Sequence, residues 1–286
     1  MLETILYQLF TGIFRASYYW LIASGLTLIF GVTRVVNFAH AAFFVLGGYV
    51  ALTIYGLTAN FMATVLISAL VVGLVSAVSE ISLLRPLYRI EGIYQLLMTF
   101  ALTLIINDLT KFIWGAQSRS IPLPRELSTA IFIGARPFPI FYFLVIGLSI
   151  ASLFLLYYLI EKTFWGLKVR ATWRDIYSAE SLRINTRRIF TATYFIGSLL
   201  AGLGGATMVA FTPVAPGLGD SLIITAFVIV VIAGLGNLFG AFVCSLLIGV
   251  LESMLVLYTP EVDILLIFLI MTAVLLVRPW GIFGER

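Results

Sequence analysis

Long apolar runs separated by short polar turns form the main pattern of this 286-residue chain. A helix needs about 20 mostly apolar residues to cross a bilayer, and open strands are excluded because unpaired backbone groups in hydrocarbon are costly. The pattern predicts an all-α, polytopic membrane helical bundle of eight or nine transmembrane helices. One run is short enough to be a partial crossing, namely 222–235. The predicted spans are 5–32, 38–56, 61–84, 93–114, 138–160, 190–211, 222–235, 239–258 and 262–278.

Composition supports a membrane environment for the whole chain. Hydrophobic residues make up 62% of it and charged residues 10%, whereas a soluble domain carries about 25% charged residues. We therefore predict one membrane domain covering 1–286. The first residues, Met1-Leu2-Glu3, lack the basic region of a cleaved signal, so the first apolar run is expected to remain as a span.

The distribution of basic residues predicts the topology. Of 17 Lys and Arg residues, seven lie between Lys162 and Arg188, and such clusters stay on the cytoplasmic side of a membrane. We therefore expect 161–189 and the C-terminus to be cytoplasmic, and the N-terminus and the loop 115–137 to be periplasmic. The loop 115–137 carries three arginines itself, so the bias is imperfect. Because most other basic residues flank apolar runs, we expect a lipid bilayer as partner and no nucleic acid.

Small residues recur at four-residue spacing in two predicted spans, where they would let helix backbones approach closely. These ridges are Gly197, Ala201 and Gly205, and Ala241, Ser245 and Gly249. Two similar turns, Asn37-Phe-Ala and Asn237-Leu-Phe, precede apolar runs and indicate either an internal repeat or a chance likeness.

The chain lacks the residue patterns of common catalytic sites. It has no G-x-x-x-x-G-K-[ST] phosphate loop, no G-x-S-x-G motif, a single histidine, His40, and a single cysteine, Cys244. We therefore predict that the chain is not an enzyme and has no catalytic residue, metal site or bound cofactor.

Polar residues inside the predicted spans are candidates for a solute path. Glu252 lies within an apolar run, where a charge is costly, and either a structural or a functional role fits it. A second candidate is a row of neutral polar side chains on one helix face, which would line an aqueous path or form hydrogen bonds between helices. This row consists of Gln95, Thr99, Thr103 and Asn107.

The loop 161–189 is much longer than a simple connection. Trp165, Val169, Trp173 and Ile176 recur at three- and four-residue steps, which predicts a short amphipathic helix that continues through Ala179. Its apolar ridge would either lie on the inner leaflet or dock into a groove of a cytoplasmic partner.

Four segments carry motifs in order along nearly the whole chain. The first is Gly25-Leu-Thr-Leu-Ile-Phe-Gly31 with Val36-Asn-Phe-Ala-His40 and Gly47-Gly-Tyr49. The second is Gly166-x-x-x-Arg170-Ala171, through Asp175 and Ala179, to Leu182-x-Ile184-Asn185 and Arg188. The third is Gly197-Ser-x-Leu-Ala-Gly-Leu-Gly-Gly205. The fourth is Gly234-Leu-Gly-Asn-x-x-Gly240-Ala241, Gly249-x-x-Glu252 and Arg278-Pro-x-Gly-Ile-Phe-Gly284.

Together these segments resemble the permease subunits of branched-chain amino-acid ABC importers, a family that also covers related amide and urea systems. The resemblance implies a bacterial or archaeal inner-membrane subunit that pairs with a second homologous permease. Two cytoplasmic ATPase subunits, which bind ATP and Mg, would drive it, and a periplasmic substrate-binding protein would deliver the solute. Selectivity would then come largely from the binding protein.

The resemblance also implies that 161–189 is the loop that couples to an ATPase. Its expected coupling residues are Trp165, Gly166, Arg170, Ala171, Trp173, Asp175, Ala179, Leu182, Asn185 and Arg188, and the expected motif turns contain Asn37, His40 and Asn237. Two positions depart from the family pattern, which has glycine where this chain has Ala41 and Arg183. The alternative function is a stand-alone secondary transporter or channel for a small polar solute.

Overall fold

The computed structural model describes residues 2–133, 136–257 and 263–284, most of which are helical. The helices are α1 (Leu2–Thr33), α2 (His40–Thr58), α3 (Phe61–Ser79), α4 (Gly92–Trp114), α5 (Arg125–Ser128), α6 (Ile140–Lys162), α7 (Phe164–Arg174), α8 (Ile176–Ser181), α9 (Thr186–Met208), α10 (Leu218–Ala233), α11 (Leu238–Leu255) and α12 (Asp263–Val277). Seven of them are long and apolar enough to cross a membrane, which confirms the predicted polytopic bundle. The orientation of the termini stays a prediction.

Two apolar helices, α10 and α12, are shorter than a full crossing. At ~1.5 Å per residue, the 16 residues of α10 extend about 24 Å, which is less than the ~30 Å hydrocarbon core. This helix corresponds to the predicted partial crossing. The predicted span ends at residues 258 and 262 lie outside the described residues.

The loop predicted over 115–137 has structure of its own. It contains α5 and an antiparallel hairpin of β1 (Ala130–Ile133) and β2 (Arg136–Pro139), with Ile131 opposite Phe138. The predicted span at 138 therefore begins two residues later, at Ile140. Phe138 is fully buried, because it packs edge-on against Phe10 and Tyr142, and it fixes the hairpin to the helical body.

The end of α3 changes to a π-helix over Glu80–Leu84 and then to a 3₁₀ turn over Arg85–Leu87. Pro86 follows the π turn and can neither donate a backbone hydrogen bond nor continue a regular helix. Glu80 is fully buried, pairs with Arg85 at 2.9 Å and accepts a hydrogen bond from Thr191 of α9 at 2.7 Å. This buried acid therefore links α3 to α9 rather than facing a path.

Helix α1 forms the centre of the bundle. In its most apolar 18-residue window, 89% of the residues are buried, since α6, α9, α10 and α11 all pack against it. Trp20 is fully buried, and its indole nitrogen donates to Ser152 Oγ at 2.8 Å. A polar partner for the indole N–H lets this large ring lie in the core.

Glycines allow backbone contact among α1, α2 and α9. A Cβ on Gly25 would lie 2.2 Å from the carbonyl oxygen of Gly197, and a Cβ on Gly205 would lie 1.7 Å from that of Phe44. On the other side of α1, a Cβ on Gly249 of α11 would lie 2.6 Å from the Ala16 amide nitrogen. Both predicted ridges of small residues are therefore confirmed as sites of close helix packing.

We expect Gly205→Ala to lower the stability of the bundle by about 2 kcal/mol, because an added methyl group in a filled contact forces helices apart. Gly147→Ala is the matched control, since no atom lies within 4 Å of its added Cβ. Thermal unfolding in detergent, followed by size-exclusion retention, measures both variants. Equal midpoints for the two would contradict this account of the α2–α9 contact.

Candidate functional site

The loop 161–189 folds as two helices, α7 and α8, rather than the single helix that the spacing predicts. The break lies at Asp175, whose backbone is extended at φ −156° and ψ 115°. Its carboxylate accepts hydrogen bonds from the Tyr177 amide at 3.0 Å and from Ser178 Oγ at 2.5 Å. These bonds hold the pKa of the Asp175 carboxyl below its usual value, because they stabilise the charged form. Asp175 thus begins α8 by capping it.

The predicted apolar ridge of this loop faces the body of the protein. Val169 is 1% exposed, and Trp165, Trp173 and Ile176 are half-buried beside the core. The ridge therefore anchors α7 and α8 to their own chain, and its docking to a partner or to the inner leaflet stays a prediction.

The Trp173 ring packs between two glycines of the sequence motifs, Gly31 and Gly236. A Cβ on Gly236 would lie 2.5 Å from the Trp173 ring, and one on Gly31 would lie 3.6 Å from it. Gly31 is near the end of α1, and Gly236 is in the turn between α10 and α11 at φ +91°. The Arg34 side chain also donates to the Trp173 carbonyl at 3.4 Å. One indole thus brings the first, second and fourth sequence motifs together.

Two other predicted coupling residues fix the start of α7 to the end of α6. A Cβ on Gly166 would lie 2.0 Å from the Ile160 carbonyl oxygen, so only glycine fits without a shift. Arg170 donates to the same carbonyl and pairs with Glu161 at 3.1 Å. Ala171 is half-buried beside them. These residues define how the loop leaves the membrane helix.

The outward side of α7 and α8 carries exposed apolar side chains that the spacing analysis did not single out as a group. Phe164 is 84% exposed, Leu167 56%, Tyr177 82% and Leu182 74%. Of these, only Leu182 is among the predicted coupling residues. We call these four residues the outward face. These four residues are hard to recognise in the sequence. The apolar ridge already accounts for the helical spacing, so apolar residues on the opposite side of the helix add no pattern of their own.

Arg183 ends α8 in the left-handed conformation, at φ +59°. The Ile184 amide donates to the Ala179 carbonyl at 3.0 Å and the Arg183 amide to the Glu180 carbonyl at 2.9 Å, which is the bonding of a helix that ends at a left-handed residue. The family pattern has glycine at this position, so the chain keeps the turn despite the side chain. Ala179 is buried beneath this turn.

The predicted residues Asn185 and Arg188 lie at the start of α9. Asn185 Oδ1 accepts a hydrogen bond from the Arg188 amide at 3.1 Å, which caps the helix. Both side chains are exposed. They therefore remain accessible beside the outward face.

The motif turns have different geometries. Asn237 caps α11, accepting from the Gly240 amide at 2.7 Å and donating to the Phe283 carbonyl at 2.8 Å. Asn37 lies before α2, and its Oδ1 accepts from the Ala39 amide at 3.1 Å. The likeness of the two turns therefore does not extend to their local structure.

His40 is fully buried at the start of α2, where Nε2 lies 3.1 Å from the Ile22 carbonyl of α1. Ala41, the other residue that departs from the family pattern, is also buried, in the first turn of the same helix. Both residues pack α2 against its neighbours.

The predicted polar row of α4 is buried and bonded to backbone. Gln95, Thr99, Thr103 and Asn107 are each at most 9% exposed. Gln95 donates to the Leu87 carbonyl at 3.0 Å, and Thr99 donates to the Val36 carbonyl at 3.2 Å. Such bonds join α4 to neighbouring segments, and the role of this row as a path stays a prediction.

Glu252 is 4% exposed in α11 and accepts a hydrogen bond from Tyr19 of α1. Arg15 lies one turn along α1, 3.8 Å from the same carboxylate, and its side chain is 39% exposed. Sequence reasoning missed Arg15, although an arginine inside the predicted span 5–32 was a sufficient signal.

Seven apolar helices long enough to cross a membrane and a helix pair anchored to one end of them define a polytopic membrane protein. A family model described as "Branched-chain amino acid transport system / permease component" matches residues 8–275, and the chain belongs to this family. It is a multi-pass inner-membrane protein.

Named relatives cover nearly the whole chain. A "Probable branched-chain amino acid transport permease protein LivH" of Methanocaldococcus jannaschii is 29% identical over 92% of this chain and 88% of its own length. LivH of Salmonella typhimurium, a "High-affinity branched-chain amino acid transport system permease protein", is 27% identical over 100% and 98%. BraD of Pseudomonas aeruginosa, described in the same words, is 27% identical over 98% and 96%. No solved structure matches the chain.

Replacing Arg183 by glycine should stabilise the protein by about 1 kcal/mol, because glycine adopts positive φ without the Cβ penalty. For a chain of this size the thermal midpoint should rise by about 2 °C. Arg187→Gly, which removes the same charge from the first turn of α9, should lower it. The thermal unfolding midpoints of both variants in detergent measure the difference. Shifts of the same sign would show that the backbone of Arg183 is not strained.

Proposed function

We propose that this chain is a permease subunit of an ATP-driven importer that moves branched-chain amino acids or related small amino acids and amides across the inner membrane. Its energy comes from separate ATPase subunits that dock on 161–189. The observation that carries the proposal is the helix pair α7–α8. This pair is fixed to the bundle on one side and presents the outward face on the other, in a chain whose family is the permease component.

The two sides of α7 and α8 have different roles in coupling: one contacts the bundle and the other contacts the ATPase. Trp173, Gly166 and Arg170 hold the pair rigidly on α1, α6 and the α10–α11 turn. The outward face leaves large apolar side chains uncovered by their own chain, and a protein partner commonly covers such a surface. A partner that moves the pair would move the helices attached to it.

The family supports partners of the general kinds found in such importers, namely ATPases and a binding protein. We propose the specific assembly of this chain with a second homologous permease, two ATPase subunits and one periplasmic binding protein. The names of the relatives support branched-chain amino acids as the first solutes to assay.

Reconstitution of the complete assembly in liposomes tests the function. Uptake of leucine should require ATP, the ATPases and the loaded binding protein together. Uptake of leucine by this chain alone, without ATPase or binding protein, would overturn the proposal in favour of a stand-alone secondary transporter or channel.

Tyr177→Ala should weaken binding of the ATPase by about tenfold or more, since a large aromatic residue at the centre of an interface commonly contributes about 2 kcal/mol. Tyr158→Ala is the matched control, because Tyr158 is 59% exposed on α6, outside the helix pair. Titration of ATPase onto permease in nanodiscs measures binding, and leucine uptake measures coupling. If the double variant Tyr177→Ala/Leu182→Ala binds the ATPase as tightly as the natural chain, the ATPase docks elsewhere.

A further inference from the structure

A row of polar side chains extends along one side of α1 and is only partly covered. Gln8, Thr11, Arg15 and Tyr19 follow one another at steps of three or four residues, which places them on one helix face, and each is half-buried. Across from them on α11 are Glu252 and Ser253, both buried. We call these six residues the α1–α11 row.

Hydrogen bonds and an ion pair connect the two helices along this row. Ser253 Oγ donates to the Gln8 carbonyl at 2.8 Å and lies 3.0 Å from Gln8 Oε1. Further along, Tyr19 donates to Glu252, and Arg15 lies 3.8 Å from the same carboxylate. The charged pair is therefore built into the α1–α11 contact, with its guanidinium directed to the uncovered side.

The row runs from one side of the membrane towards its interior. At ~1.5 Å per residue, Tyr19 lies about 21 Å from the end of α1 at Thr33, and Glu252 lies about 21 Å from the start of α11 at Leu238. Arg15 is about 27 Å from Thr33. With Thr33 at the inner surface, as the basic residues predict, this places the pair in the outer third of a ~30 Å hydrocarbon core, with Gln8 at the outer surface.

Exposure separates this row from the polar row of α4. The α4 side chains are at most 9% exposed, and Gln95, Thr99 and Thr103 donate to backbone carbonyls of their own chain, as side chains that hold helices together do. The Arg15 side chain is 39% exposed. Charged groups at membrane depth face a water-filled cavity or the interior of an assembly rather than lipid. Because Arg15 is charged and paired with a buried acid, the uncovered side of the α1–α11 row is suited to the interior of the assembled importer.

We propose that the α1–α11 row lines the outer part of the solute path and that Arg15 binds the carboxylate of a zwitterionic α-amino acid. This inference rests on the proposed import function and identifies the site that it uses. A guanidinium binds a carboxylate through two parallel hydrogen bonds. Glu252, next to it, supplies the opposite charge for the α-ammonium group. A zwitterion can thus replace the internal ion pair without leaving a net charge in the membrane.

Access of water to the row is tested with engineered cysteines. In a Cys244→Ala background, Tyr19→Cys, which lies inside the hydrocarbon core, should react in the complete importer with a membrane-impermeant thiol reagent. Leucine-loaded binding protein with ATP should slow the reaction severalfold, because the solute occupies the path. Leu251→Cys is the matched control at the same depth, since Leu251 lies about 20 Å along α11 from Leu238 and is 42% exposed; it should react at least about tenfold more slowly because it lies in lipid. Equal reactivity of the two cysteines would show that the α1–α11 row does not line a water-filled path.

Charge at Arg15 is tested by transport. Arg15→Gln should lower leucine uptake about tenfold or more, the effect of losing a charge-assisted pair of hydrogen bonds, and Arg15→Lys should restore part of it. ATP hydrolysis stimulated by the loaded binding protein should persist in both variants. Lys111→Gln, which breaks the exposed Lys111–Asp108 pair in α4, should leave uptake unchanged. Uptake by Arg15→Gln within twofold of the natural chain would overturn the role of Arg15.

The outcomes separate the two proposals. If the natural chain imports leucine with ATP but Tyr19→Cys stays unreactive and Arg15→Gln transports normally, the import function stands and this site is wrong. If the complete assembly with the natural chain shows no ATP-dependent uptake, the import function itself fails.

Discussion

The close approach of α1, α2 and α9 is the constraint on which the rest of the structure depends. Membrane helices gain little from burying apolar surface, so close packing and hydrogen bonds hold them together. Here Gly25 meets Gly197 and Gly205 meets Phe44 backbone to backbone, while Gly249 brings α11 to the opposite side of α1. Because these contacts leave no room for a side chain, they fix the positions of the helices that carry both candidate sites.

Each candidate site uses the surface that this packing leaves open. At one end of the bundle, α7 packs against α1, α6 and α9, and the helix pair α7–α8 exposes the outward face. At the other side, α1 and α11 together present a half-exposed polar row. In our proposals one of these surfaces receives a protein partner and the other a small zwitterionic solute, with rigid helices between them.

The sequence predicted the helices well because a membrane span needs a long apolar run, and nothing else in this chain has that pattern. The motif positions were also informative: Gly166 and Asn237 have the close contacts and caps that their residue types suggest. The direction of the amphipathic ridge in 161–189 could not be predicted, because spacing defines a face but not the surface that covers it. The break at Asp175 was missed for a related reason, since a capping aspartate also fits within a helix. Arg15 went unnoticed because its partner lies 237 residues away in the chain.

Trp173 has a mechanical consequence. It is wedged between the ends of α1 and α11, at Gly31 and Gly236, and these two helices run side by side from there to Arg15 and Glu252. Because α1 and α11 are packed together along their length, a small tilt forced at Trp173 moves the two helices as one unit, and the displacement grows with distance from Trp173. A push on α7 and α8 would then shift the Arg15–Glu252 pair relative to the rest of the bundle without any element between them having to unfold.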